Sequence, residues 1–275
     1  MPGLPAMMPR ERHAVLRAGA SNALTPRDAS IVDLVGRFRL MTAEQIRAVV
    51  FPAQASKTPL DRALLRLTAG GYLARLGRLV GGFGGGSGQY VYQVGRKGWR
   101  LLGRGGAYRP LRIVDLHTLT IAECFVQLHG LEGRGECTVI TYQPEPGSHL
   151  TVAGTALTPD AYVELGVQVP RRKFTYWLEI DRDTENPETI RGKCVRYWRA
   201  YQAWDGEVFP WVVFVVPDAA RQREIARVIA GGPEEAWPLF RVELLEHVAA
   251  VGLMPGRSAD DAVAGQDGSG GMSGN

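Results

Sequence analysis

Apolar residues recur at helical spacing near the start of the chain. Ile31, Leu34, Val35 and Phe38 stand at i, i+3, i+4 and i+7 behind the segment Leu24-Thr25-Pro26-Arg27-Asp28. That stripe predicts a helix with Thr25 as its N-cap, Pro26 at the first helical position and Asp28 near the positive helix end. A second helix is predicted from Thr42. Gln45, three residues on, completes a capping box, and Ile46, Val49 and Val50 form the apolar face. A third opens at Thr58-Pro59-Leu60-Asp61, turns Leu60, Ala63, Leu64 and Leu67 inward, and stops at Gly70-Gly71. Two strand-like runs, Tyr72–Val80 and Gln89–Val94, flank a glycine-rich tip at 81–88, the pattern of a hairpin with a long loop.

After a linker around Gly103–Arg112 the pattern changes. A helix is predicted over His117–Leu131, then strands at Cys137–Tyr142, Asp160–Leu165 and Phe174–Asp181. A long helix over Pro187–Trp204, rich in Arg and Tyr, precedes the apolar strand Phe209–Val216. The helix Ala219–Ala230 and the strand Leu239–Leu245 follow. The order α-β-β-β-α-β, then α-β, predicts a mixed sheet crossed by helices, and the fold class of the chain is α+β. Residues 1–24 read as a flexible basic arm, 25–108 as one domain, 113–250 as a second, and 251–275, Gly/Ser-rich, as a disordered tail.

Charge separates the two predicted domains. Through Arg112 there are 18 Lys/Arg and 5 Asp/Glu, a balance of +13; from Ile113 onward there are 14 and 23, a balance of −9. A basic module of this kind meets a polyanion. Three short helices and a hairpin in this order read as a winged helix-turn-helix, whose third helix enters the DNA major groove. The residues placed to meet DNA are then Lys57, Thr58, Arg62 and Arg66 on that helix, with Arg75 and Arg78 on the wing. The expected partner is double-stranded DNA, and a winged helix used for protein contacts is the competing reading. The longest apolar run, Trp211–Val216, is far too short for a membrane helix, and the first residues carry no secretory pattern, so the expected location is the cytoplasm without membrane contact. Cys124, Cys137 and Cys194 lack metal-ligand spacing and read as small core residues in a reducing compartment. No small-molecule substrate is evident. The five histidines form no H-x-H pair, and Tyr197 with Tyr201, one turn apart, read as packing rather than as nucleophiles.

The chemistry concentrates at strand ends. Pro159-Asp160 opens one strand and Glu179-Ile180-Asp181 closes the next. Alternation puts Glu179 and Asp181 on one face, with Asp183 beside them if the strand runs that far. Two carboxylates on adjacent strands can hold Mg²⁺, which activates water and polarises a phosphodiester. A solvated turn at 181–185 is the alternative reading of the same residues.

These features together resemble the replication-relaxation family of plasmid and integrative-element proteins. The likeness rests on Leu24-Thr-Pro-Arg-Asp28, Tyr90-Val-Tyr92, His117-Thr-Leu119, Pro159-Asp-Ala-Tyr162, Trp177-Leu-Glu-Ile-Asp-Arg-Asp-Thr-Glu185, Lys193-x-x-x-Tyr197 and Val213-Phe-Val-Val-Pro217, and covers roughly residues 24–245. The resemblance implies a DNA-binding winged helix and a restriction-endonuclease-like second domain, similar to the PD-(D/E)xK nucleases. It also implies a role in replication or mobilisation of an element, with Mg²⁺-dependent DNA nicking if the domain is active. On that pattern Asp160 and Glu179 match the two metal ligands, and Glu123 matches a helix carboxylate found in some members. Asp181 stands where the pattern has lysine, and Lys193 or Arg191 on the next helix are the candidates to replace it. A non-catalytic regulator, whose nuclease-like domain serves dimerisation or partner binding, stays open beside the enzyme.

Overall fold

The computed structural model describes residues 24–51, 56–79, 88–168, 171–249 and 253. The expected basic arm before residue 24, most of the glycine-rich tip and nearly all of the tail beyond 250 lie outside the described residues. The chain divides into two compact units, Met1–Val126 and Gln127–Asn275. Both mix helix and sheet, so the α+β class holds. None of the described helices is long and apolar enough to cross a membrane.

The N-terminal unit contains α1 (Pro26–Phe38), β1 (Met41–Thr42), α2 (Ala43–Val50), α3 (Thr58–Ala69), β2 (Leu73–Leu79), β3 (Gln89–Val94) and α4 (Arg96–Leu101). Helix α5 (Leu116–Gly133) begins in this unit, and the division between the units falls within it. Thr25 caps α1 as the sequence predicts, accepting from Asp28 N at 3.1 Å. The capping box of α2 is also present in both directions, Gln45 N to Thr42 Oγ1 at 3.1 Å and Thr42 N to Gln45 Oε1 at 3.0 Å. The apolar face of α2 differs from expectation. Ile46 is buried, but Val49 and Val50 are only half-buried, and Gln45 takes the inward position. Its amide does so because every polar atom is used: besides the box, Nε2 donates to Leu119 O and to Glu123 Oε2.

Strands β2 and β3 pair antiparallel with a register shift between Arg75 and Gly77, and β1 adds to the outer side of β3, giving the order β1-β3-β2. Neither β1 nor α4 is visible in the sequence pattern. Helix α4 seats against the end of β2 through Gly98, where an added Cβ would stand 2.2 Å from Tyr72 O.

The C-terminal unit is a five-stranded sheet of order β10-β9-β8-β7-β4, from β4 (Thr138–Pro144), β7 (Ala161–Gln168), β8 (Arg171–Ile180), β9 (Trp211–Val216) and β10 (Phe240–Leu244). A small hairpin, β5 (Leu150–Val152) and β6 (Thr155–Leu157), is inserted before β7. Helices α6 (Pro187–Gln202) and α7 (Ala219–Ala230), with a 3₁₀ turn at Glu234–Leu239, follow the central strands. Strand β8 is central, antiparallel to β7 and parallel to β9. Tyr162, Trp177, Val212, Phe214 and Val216 line one sheet face and pack with Ile190, Tyr197 and Ala200 of α6 and Ile225 of α7. Sequence periodicity finds the principal strands and both helices, and misses the β5–β6 hairpin and the 3₁₀ turn, which are too short to show a period.

Candidate functional site

The register of β7 and β8 sets the site. Ala161 pairs with Leu178, and Asp160 N donates to Leu178 O at 2.9 Å, so Asp160 stands across from Glu179. Asp160 Oδ2 also accepts from Ile180 N at 2.6 Å, which ties its carboxylate to the end of the neighbouring strand. Glu179 is 3% exposed and Asp160 7%.

Helix α6 comes down over this pair. Asn186 caps it by accepting from Thr189 N at 2.8 Å, and Pro187 takes the first turn, so the helix starts at a fixed point. Ile190, Lys193, Tyr197 and Ala200 then face the sheet. Tyr197 Oη donates to Glu179 Oε1 at 2.5 Å. Lys193 Nζ lies 2.8 Å from Glu179 Oε2 and 2.8 Å from Glu185 Oε1. The lysine approaches Glu179 Oε2 away from the direction of a good hydrogen bond. That oxygen carries the ammonium's charge without a directed donor among the described residues. Asp160, Glu179 and Lys193, three sequence candidates, are therefore brought together, and Glu185 and Tyr197 join them.

The electrostatics follow from burial. Desolvation pushes the Glu179 carboxyl up to about 7; the charge of Asp160 adds to the rise, while Lys193 and the Tyr197 hydrogen bond oppose it. For Lys193, burial pulls the ammonium down, but the negative charges of Glu179 and Glu185 beside it outweigh that, and its pKa is held above the ordinary lysine value. Burial first, then Glu179, raises the Tyr197 phenol well above its usual range. It remains a neutral donor to Glu179, not a ready nucleophile. Cys194, on the same helix, is pushed up to about 12 by burial first and Glu179 second, and stays a thiol.

Asp181 lies outside this cluster's hydrogen bonds. Strand β8 ends at Ile180, and the Asp181 carboxylate is held by Arg221 of α7, with Nη2 to Oδ2 at 2.6 Å and Nε to Oδ1 at 3.2 Å. The same guanidinium donates to Glu185 O and reaches Glu224 at 2.8 Å and Asp183 at 3.5 Å. Asp183 has a φ of 63° and an exposed side chain, so the strand alternation expected through 183 stops short. Glu185 joins the two groups: its carboxylate meets Lys193 and its carbonyl meets Arg221. Sequence spacing holds no signal for Arg221 or Glu185.

Glu123 belongs to the N-terminal unit, where Gln45 Nε2 donates to its Oε2 at 2.9 Å. Burial raises its pKa above the ordinary glutamate value, and the Gln45 hydrogen bond opposes the rise. A carboxyl with a raised folded-state pKa contributes stability that is complete below its unfolded pKa and is lost as pH rises through the folded value. Glu123→Gln is therefore expected to raise the melting temperature at pH near 8, with little change at pH near 4. An equal effect at both pH values would sink this assignment.

Could the cluster hold a metal? Among the described residues no group of three or more His, Cys, Asp or Glu is disposed to do so. Mg²⁺, however, takes one or two carboxylates and completes its shell with water and phosphate oxygens. Asp160 and Glu179 face one another, and Glu179 Oε2 is buried without a directed hydrogen bond, so these two carboxylates are the residues that would hold such an ion, with Lys193 as their cationic neighbour.

In the N-terminal unit, Lys57, Thr58 and Arg62 are exposed on α3, which opens without a side-chain cap. Lys57 Nζ lies 3.0 Å from Glu44 Oε1. Arg75 and Arg78 both lie over the Tyr90 ring, at 3.9 and 4.8 Å from its centroid. Arg66 is committed elsewhere: its guanidinium grips Asp28, Nη2 to Oδ1 at 2.7 Å and Nε to Oδ2 at 3.1 Å, and Asp28 is 1% exposed. Arg66→Ala leaves that carboxylate buried without its cation and is expected to cost about 2 kcal/mol. Exposed Arg62→Ala is expected to stay within about 0.5 kcal/mol. Urea melts of the two variants check this, and two equally small losses would remove the clamp role from Arg66.

Comparison with known proteins adds one positive finding. Residues 32–211 match the model of the replication-relaxation family. No curated protein and no solved structure matches the chain.

Proposed function

Because the chain belongs to the replication-relaxation family, we propose that it acts in the replication or mobilisation of a mobile element by binding duplex DNA with its N-terminal unit and nicking it with its C-terminal unit. The observation that carries the cleavage reading is the convergence of Asp160, Glu179 and Lys193 in one buried cluster. The lysine of the nuclease-like pattern is missing two residues after Glu179, and the α6 lysine supplies a cation to the same carboxylate. The strand order and the helix laid over the Asp160–Glu179 face support a PD-(D/E)xK-like architecture. Three helices with the β1-β3-β2 sheet support a winged helix.

Asp160 and Glu179 would hold the ion. When bound, a Mg²⁺ ion supplies polarisation of the phosphodiester and activation of water. Lys193 keeps a positive charge beside the carboxylates and stabilises negative charge on the phosphate oxygens. Tyr197 fixes the rotamer of Glu179 through Oε1. In the N-terminal unit, Lys57, Thr58 and Arg62 on α3 and the Arg75–Tyr90–Arg78 stack on the hairpin offer the duplex its contacts, with Arg66 mainly holding the unit together.

The burial of Glu179 under α6 favours a second reading, a winged-helix regulator whose nuclease-like unit mediates dimerisation or partner binding. One assay separates them. Supercoiled plasmid carrying the element's own flanking DNA is incubated with protein and Mg²⁺ or Mn²⁺, while duplex binding is measured at low salt, where phosphate contacts are strongest. Open-circle product supports cleavage; duplex binding without nicking leaves the regulator; absence of duplex binding removes both.

A further inference from the structure

The face of α6 turned away from the sheet has no role in the site or in the core. Arg191, Val195, Trp198 and Arg199 recur at i, i+4, i+7 and i+8 on that side, opposite Ile190, Lys193 and Tyr197. Trp198 stacks on Tyr201, with ring centroids 5.5 Å apart and planes at 19°. Tyr201 in turn meets Phe209 edge-on at 5.3 Å, and Phe209 meets the buried Trp177 at 4.9 Å. The pair is thus braced from below: Trp198 is half-buried, while Tyr201 is 43% and the neighbouring Val195 40% exposed. Arg191, Arg196 and Arg199 flank it, and none has an ion pair among the described residues. Glu188, in the first turn, is the one acidic residue of the helix.

We propose that this face of α6 binds single-stranded DNA, holding bases on the Trp198–Tyr201 pair and phosphates on Arg191 and Arg199. The proposal rests on the cleavage reading of the C-terminal unit and names the strand that unit handles. Unpaired bases present π-faces to an aromatic platform, and guanidiniums track the backbone. In a duplex those faces are hidden by stacking, so the platform selects unpaired strand. Positions 191 to 199 span about 12 Å along the helix. The platform lies roughly one helix diameter, about 10 Å, from Lys193 on the inner side. A second copy of the chain is the poorer occupant, because an isologous contact would bring the same arginines of both copies together.

The test uses the full-length protein in EDTA at low salt, with a labelled oligo-thymidylate of about 20 nucleotides and a duplex of similar length, read by fluorescence anisotropy. The wild type is expected to bind both. Trp198→Ala is expected to weaken oligo-thymidylate binding about tenfold and to leave duplex binding within about twofold. Trp198→Tyr should keep most of the affinity, and Arg199→Gln should reduce its salt dependence. No oligo-thymidylate binding by the wild type, an unchanged affinity in Trp198→Ala, or equal weakening toward both DNAs each overturns the proposal. So does self-association that Trp198→Ala abolishes. Plasmid nicking run in parallel keeps the two readings apart. Nicking with oligo-thymidylate binding indifferent to Trp198 sinks this inference alone, and Trp198-dependent binding without nicking sinks the cleavage reading alone.

Discussion

Asp160→Asn and Glu179→Gln are each expected to lower plasmid nicking by at least about a hundredfold, while duplex binding at low salt persists. The substitutions are nearly isosteric. The asparagine side chain still offers an oxygen to the Ile180 amide, and the glutamine still offers one to the Tyr197 hydroxyl, so the fold has no reason to collapse. What each removes is a negative charge from a pair that would hold a divalent cation. Lys193→Met is expected to have a comparable effect on nicking, because Asp181 supplies no cation and Arg221 is already engaged with it. Electrophoresis of the plasmid products measures all three. Undiminished nicking in Asp160→Asn and Glu179→Gln would exclude these carboxylates from the chemistry, and an active Lys193→Met would return the lysine to a purely structural part.

The largest effect on stability is expected from Arg221→Ala, about 3–5 kcal/mol. Arg221 and Asp181 are both almost wholly buried, at 2.6 Å, and removing the guanidinium leaves a carboxylate with no water to solvate it. The same guanidinium closes the 181–185 turn through Glu185 O, so α6 should also lose part of its anchorage. Five of the six tryptophans lie in the C-terminal unit, so urea unfolding followed by tryptophan fluorescence reports on it selectively. The double variant Arg221→Met with Asp181→Asn removes both charges and should recover much of the loss. A loss below about 1 kcal/mol in the single variant would mean that water reaches Asp181 and screens it. A lysine at position 181 would meet the buried Arg221 directly.

Much of this molecule is readable along the chain. Thr25 and the Thr42–Gln45 box are local capping signals, formed between residues three apart, and both appear where the pattern puts them. Apolar stripes locate α1, α3, α7 and the strands β7 to β9 because burial on one or both faces imposes the period. Pro159-Asp160 and Glu179 stand out as carboxylates at strand ends. Lys193 enters as a substitute for the missing lysine only through the family resemblance, and no spacing rule brings it to Glu179.

Other features have no local signal. Gln45 replaces Val49 and Val50 on the inner side of α2 because its amide finds acceptors on α5, more than seventy residues away. Arg66 resembles Arg62 on a helical wheel, yet it is claimed by Asp28, thirty-eight residues earlier. Asp181 resembles a third member of the acidic row until Arg221, forty residues later, takes it. The sequence by itself determined every helix but the short α4, the principal strands, the separation of basic and acidic halves, and two of the carboxylates at the site. Tertiary structure decided which ionisable groups neutralise which. A buried charge must find its partner in space, and topology, not spacing along the chain, sets which residues come within hydrogen-bonding reach.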